Sequence, residues 1–167
     1  IKSMLNDLED PFISSFFDEV HRKECSRSCY RCIQRYGNRG YHGLLDWRLG
    51  LSFLRCLLDT NHRVGLDGDF EQYPELRDWP LLARQAALDI QRLDPNRRTV
   101  VFYGPLQLPV VLHDHESVNP EAFIIVHPFW NVVDDIALEI QETLSLIDKT
   151  CSIRFIDTFE TNRRLMG

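Results

Sequence analysis

The sequence predicts a mixed α/β chain of two modules: a small helical, cysteine-bearing module, then one with the order α-β-β-β-α-β. Three observations carry this. Three of the five cysteines fall between residues 25 and 32, followed by a loop with glycines at 37, 40 and 43. Short runs of branched and aromatic residues begin only after residue 98. Between these regions the stretch NHRVGLDGDFEQYPELRDWP reads as exposed and acidic. The expected organisation is therefore a helical module over 1–60, an acidic connector over 61–77 and an α/β module over 78–167.

Each element has a local reason. Asp10 followed by Pro11 is an N-cap with proline in the first turn, and Phe12, Ile13, Phe16, Phe17 and Val20 follow at helical spacing. The glycines of the cysteine loop are expected to break any regular element there. A second helix covers LLDWRLGLSFLRCLLD, where Gly50 costs about 1 kcal/mol against alanine and is therefore expected at a close contact. Asp78 caps a third helix with Pro80 just inside it. TVVFY, LPVVLH and AFIIVH are strands whose continuous apolar character implies burial on both faces. Asn131 and Asp134 open a helix lined by Val132, Val133, Ile136, Ala137, Ile140, Leu144 and Ile147. Cys151, Ile153 and Phe155 alternate as a fourth strand that ends at Asp157. Cys56 and Cys151 lie in apolar patterns and are expected in the core.

Composition narrows the possibilities. The chain has 167 residues, 44% of them apolar and 26% charged. A chain of that length buries roughly 70% of its extended surface, so a core is expected. Disordered, collagen-like and disulfide-scaffold classes are excluded. The net charge of -6 excludes a uniformly basic coat. Charge is nevertheless polarised: residues 21–55 hold eight Lys or Arg against Glu24 and Asp46, a local balance of +6 that leaves -12 for the remainder. Such a stretch is either a solvated polar face or a phosphate-contacting patch. No secretory signal pattern and no apolar run long enough to span a bilayer is present.

Cys25, Cys29 and Cys32 follow the spacing C-x3-C-x2-C, and His42 comes after nine intervening residues. Thiolates with one imidazole suit a tetrahedral zinc ion, and four protein ligands leave no open position, so the expected role is structural. His21 is the rival to His42 as fourth ligand. Polar Ser26, Arg27, Ser28 and Arg31 argue against three cysteines packed in a core. A disulfide would leave one odd thiol.

The segment CSRSCYRCIQRYGNRGYHGLLDWRLG resembles the cysteine-rich C-terminal domain that follows the motor of many DEAD/DEAH-box-type superfamily 2 helicases, with relatives in bacterial anti-phage DISARM helicases. The matching features are Cys25, Cys29-Tyr30-x-Cys32, Tyr36 with Asn38, His42, and Leu45-Asp46-Trp47 opening a helix. The resemblance spans roughly residues 10–60 and implies zinc on Cys25, Cys29, Cys32 and His42. It further implies an accessory domain of an ATP-dependent helicase or translocase that contacts nucleic acid (DNA in preference to RNA) or a partner subunit, with antiviral defence in the cytoplasm as its setting. No G-x-x-x-x-G-K-[ST] loop is visible, so the ATP-binding motor is expected upstream or elsewhere in the same complex, and no catalytic residue is assigned here. The expected nucleic-acid contacts are Arg27, Arg31, Arg35, Arg39 and Tyr36.

The second module resembles a degenerate restriction-endonuclease-like core. Active members of that class place acids and an acid-x-Lys on the second and third strands to hold Mg²⁺. LPVVLH has no acid, and Glu121 is followed at position 123 by Phe rather than by an acid or lysine pattern. His113, Asp114, His115 and Glu116, with His127, are the polar residues on which an alternative metal-dependent nuclease would rest, against the simpler reading of a solvated turn. Asp157 is a weaker candidate of the same kind, or a helix cap. A zinc-stabilised protein–protein adaptor is the third function class.

Overall fold

The computed structural model describes residues 10–114 and 119–164. The chain forms two compact units. The first contains the chain up to Arg63 together with Glu71–Arg77; the second contains Val64–Phe70 and everything from Asp78 onward.

In the first unit, α1 (Pro11–Ser14) is capped by Asp10, whose carboxylate accepts from the Phe12 amide at 2.8 Å. A 3-10 turn follows over Ser15–Phe17, and the helix expected to run on is interrupted. Asp18 adopts an extended conformation (φ -54°, ψ 133°) and its carboxylate accepts from the amides of Val20 and His21, starting a separate helix α2 (Glu19–Glu24). A short carboxylate competes well for backbone donors, which is why Asp ends one helix and caps the next. The glycine-bearing loop is not irregular as expected: Tyr36–Leu44 is 3-10 helical with a kink at Asn38. Helix α3 (Trp47–Leu58) starts at Asp46, which accepts from the amides of Arg48 and Leu49. Gly50 has nothing within 4 Å of where a side chain would begin, so the expected close contact is absent. The core of this unit is Ile13, Phe16, Cys25, Cys32, Trp47 and Leu51.

The stretch 61–77, expected to be exposed, contributes buried residues. Glu75 and Leu76 are each 1% exposed. Glu75 pairs with Arg55 of α3, whose guanidinium also lies 4.3 Å from the Tyr73 ring centroid. Val64 and Gly65 belong to the second unit and are also buried. Gly65 has φ +81° and abuts the Phe70 ring where a Cβ would project, so it requires glycine.

The second unit begins with α4 (Trp79–Arg92), where Pro80 sits in the first turn but Asp78 makes no side-chain capping bond. Strands β1 (Arg98–Tyr103), β2 (Leu108–His113) and β3 (Glu121–Val126) form an antiparallel meander, and β4 (Ser152–Asp157) pairs parallel to β3. Spatial order follows chain order, β1-β2-β3-β4. The central strands carry the core, with Leu108, Val110, Val111, Ala122, Ile124, Ile125 and Val126 buried, while β1 and β4 are only half-covered. Helix α4 packs on β1, β2 and β3.

The crossover between β3 and β4 differs from expectation. Asn131 Oδ1 accepts from the amides of Val133 and Asp134, but no helix begins there. Asp135 takes φ +48°, which ends any helical run, and α5 covers only Leu138–Ser145. Val133 is consequently 81% exposed. The last helix, α6 (Thr158–Arg164), follows β4 directly. Cys56 and Cys151 are half-buried rather than core residues. Among the described residues, no helix is long and apolar enough to cross a membrane.

Candidate metal centre

His21 lies in α2 and Cys25 is the residue that ends it, its amide bonded to the His21 carbonyl at 2.8 Å. A spacing of four on a helix places both side chains on one face. The chain then turns through Ser26–Ser28 and brings Cys29 and Cys32 back to the same point. That turn is held from beneath by the guanidinium of buried Arg48, which donates to the carbonyls of Arg22, Cys25 and Ser26 at 3.0–3.2 Å. The Trp47 amide donates to the Arg27 carbonyl at 3.0 Å. The capping of α3 by Asp46 therefore fixes the helix end from which both Trp47 and Arg48 reach the loop.

One donor atom each from His21, Cys25, Cys29 and Cys32 lies within 4.8 Å of all the others. Cys25 Sγ and Cys29 Sγ are each 3.8 Å from Cys32 Sγ, and His21 Nε2 is 3.5 Å from Cys29 Sγ. These separations are far beyond a disulfide bond of about 2.05 Å. The second imidazole nitrogen, Nδ1, donates to the Phe16 carbonyl at 3.0 Å, which fixes the tautomer and leaves the Nε2 lone pair facing the thiols. Phe16 and Trp47 rings flank the imidazole.

The thiols are electrostatically unequal. Burial, then the neighbouring Cys32 sulfur, pushes the Cys25 thiol well above its ordinary range. At Cys29 burial also opposes ionisation, but it is outweighed by hydrogen bonds from the backbone amides of Arg31 and Cys32, and the thiol is brought down to about 6. The Cys29 amide in turn donates to Cys32 Sγ at 3.1 Å. The loop thus supports negative charge on sulfur with its own N–H groups.

His42, expected as fourth ligand, lies outside this group. Its Nε2 makes 2.9 Å contacts with the Arg35 carbonyl and Asn38 Oδ1, so that nitrogen carries the proton and is a donor. Two oxygen acceptors, one at the N-cap of the 3-10 segment and one within it, hold the ring away from the sulfurs. The imidazole that joins the cysteines is His21. The signal that would have favoured it is the His-x3-Cys spacing on a helix face.

The expected nucleic-acid residues are dispersed over the loop surface. Arg31 pairs with Glu24. Arg35 donates to the carbonyls of Cys32 and Gln34, and its guanidinium lies 5.3 Å from the Phe12 ring centroid. Arg27 is half-buried, and Arg39 and Tyr36 are exposed.

In the second unit, His113 is surrounded by carboxylates: Nδ1 is 3.5 Å from Glu121, and Nε2 is 3.8 Å from Asp94 and 3.7 Å from Asp114. Asp114 pairs with Arg97 and Glu121 with Arg154. His115 and Glu116 lie outside the described residues. His127 is 2% exposed among Trp79, Phe129 and Trp130, its Nδ1 accepting from the Phe129 amide. Asp157 accepts from the Glu160 amide at 2.7 Å, which is a helix-capping bond. Compared with protein families, with curated proteins and with solved structures, the chain finds no match. The geometry therefore stands alone: the first unit carries a His/Cys cluster consistent with a small metal-binding module.

Proposed function

We propose that the first unit is a structural zinc module with His21, Cys25, Cys29 and Cys32 as its ligands. One observation carries this reading: the spacing of the donor atoms. A tetrahedral ion with bonds of about 2.3 Å to sulfur and 2.0–2.1 Å to nitrogen requires edges of about 3.8 Å between sulfurs and about 3.5 Å between sulfur and nitrogen. Those are the separations of Cys32 from Cys25 and Cys29, and of Cys29 from His21. The soft donor set and the fixed imidazole tautomer suit zinc, and four protein ligands close the coordination sphere. Zinc bound here supplies folding free energy rather than a reactive water. Elemental analysis of the purified chain is expected to give about one zinc per chain, falling on Cys29→Ser and His21→Ala but not on His42→Ala. A folded, zinc-free chain with reduced thiols would falsify the proposal.

The finer reading is an accessory domain of a nucleic-acid helicase or translocase. It is supported by the resemblance of residues 10–60 and by the +6 balance of residues 21–55. A degenerate nuclease-like core for the second unit is supported by its α-β-β-β-α-β order and by strands that lack an acid-x-Lys. The expected outcome is no ATP hydrolysis and no Mg²⁺-dependent DNA cleavage by this chain. Cleavage abolished by Asp114→Ala would instead favour a nuclease. Sequencing of the flanking coding region tests the helicase reading through the presence of an ATPase motor.

A further inference from the structure

We infer that the cysteine turn and the 3-10 segment that follows it form a stacking surface for single-stranded nucleic acid, with Tyr30, Tyr36 and Tyr41 as its base-contacting side chains and His42 as the residue that positions Tyr30. The inference rests on the zinc-module reading only in that the metal would fix the turn that carries Tyr30; Tyr36 and Tyr41 follow in the 3-10 segment beyond Cys32. It names the class of partner which that module recognises.

Three tyrosines within twelve residues of one loop present their rings to solvent: Tyr30 and Tyr41 are each 63% exposed and Tyr36 is 83% exposed. Exposed aromatic rings that group together mark a contact surface. The conformation of Tyr30 is set by its neighbour. The Tyr30 ring stands edge-on to the His42 ring at a centroid distance of 5.3 Å and an interplanar angle of 85°. His42 is itself anchored by the Arg35 carbonyl and Asn38 Oδ1. Asn38 in turn holds the loop through its bonds to the Arg35 amide at 2.7 Å and the Ile33 carbonyl at 3.0 Å. A ring held in this way loses little rotational freedom on meeting a base.

Charge selects the partner. Arg27, Arg31, Arg35 and Arg39 are interspersed with the tyrosines, and residues 21–55 carry +6 inside an otherwise acidic protein; Arg31 pairs with Glu24 and Arg35 bonds to carbonyls of its own loop, while Arg39 is exposed. A polyanion is the complementary ligand. Alternating cationic and aromatic side chains contact backbone and bases in turn, which requires bases that are unpaired and splayed. A duplex offers only phosphate to the same arginines.

The test is fluorescence anisotropy of the full chain with a labelled oligothymidine strand and, separately, the blunt duplex of equal length. At low salt the single strand is expected to bind more tightly. Tyr36→Ala and Tyr30→Ala should each lower its affinity by about tenfold while leaving duplex binding and zinc content unchanged. Tyr36→Phe should keep wild-type affinity, because stacking does not use the hydroxyl. Arg39→Gln should weaken both ligands and flatten the salt dependence. His42→Ala should retain zinc and lose strand affinity. Equal binding of strand and duplex, with no effect of the tyrosine changes, overturns the proposal. So does a chain that binds zinc but no strand at low salt, or tyrosine variants that alter only self-association in sedimentation. A zinc-free wild-type chain overturns the metal reading instead, and the anisotropy still decides the strand proposal.

Discussion

Helix α4 and strands β2 and β3 of the second unit bury a continuous sheet of Val, Ile, Leu and Ala, whereas the six core residues of the first unit include two cysteines of the metal cluster. The second unit can be stabilised by area removed from water, at about 25 cal/mol per Å². The first has short helices of four, six and twelve residues and a long 3-10 segment, none of which is stable alone. Small units of this kind require a staple. If the His/Cys cluster holds zinc, the two units draw on different sources of cohesion, and removing each in turn tests whether they are independent.

Stripping the metal is expected to have the largest effect. Chelation, or Cys32→Ser, should unfold the first unit while the sheet's circular dichroism persists, giving a second thermal transition that survives. Structural zinc contributes on the order of 10 kcal/mol to such modules, so loss of the first transition should be complete. Acidification should act in the same direction, since protons compete with zinc for thiolates and imidazole. If both units melt together after chelation, the separation of cohesion is wrong.

Glu75→Ala comes next. It leaves half-buried Arg55 without its carboxylate partner and empties the buried site of Glu75, an effect of about 3 kcal/mol. Because Glu75 and Arg55 both belong to the first unit, denaturant melts should show that unit's transition shifted and the other unmoved. The mirror experiment is Ile124→Ala in β3, expected to cost about 2–5 kcal/mol in the second unit with zinc content intact. A fall in zinc content there would mean the units are coupled.

The smallest change should be favourable. Gly50→Ala introduces a methyl group into open space on α3 and should raise the first unit's stability by about 0.5–1 kcal/mol. Destabilisation measured by thermal melting would show that a methyl group at Gly50 disrupts a contact of α3.

What was legible in the sequence follows from the same contrast. Branched, apolar runs announced β2 at its observed limits and the other strands to within a residue, because a strand's burial is written in consecutive side chains. Sheet order was not legible, since pairing is a long-range choice. Two aspartates defeated the helix expectations: Asp18 inside an apolar-periodic run, and Asp135 in a left-handed conformation. At the candidate centre the convergence of three thiols was readable from spacing, but the choice between two imidazoles was not. It depended on where α2 begins, and therefore on Asp18, and on the carbonyl and amide oxygens that hold His42 away.

The parallel pairing of β3 with β4 has a consequence during synthesis. The meander β1–β2–β3 can form as soon as Val126 has left the ribosome, yet its partner strand begins only at Ser152. For that interval one edge of β3, with Ile124 and Ile125 on it, has unpaired backbone donors and acceptors open to any neighbouring extended chain. On the zinc reading, the first unit, complete at Arg77, can take up its ion well before then. Nascent chains should therefore be most prone to association in a narrow window of length, after the metal module has closed and before the last strand arrives.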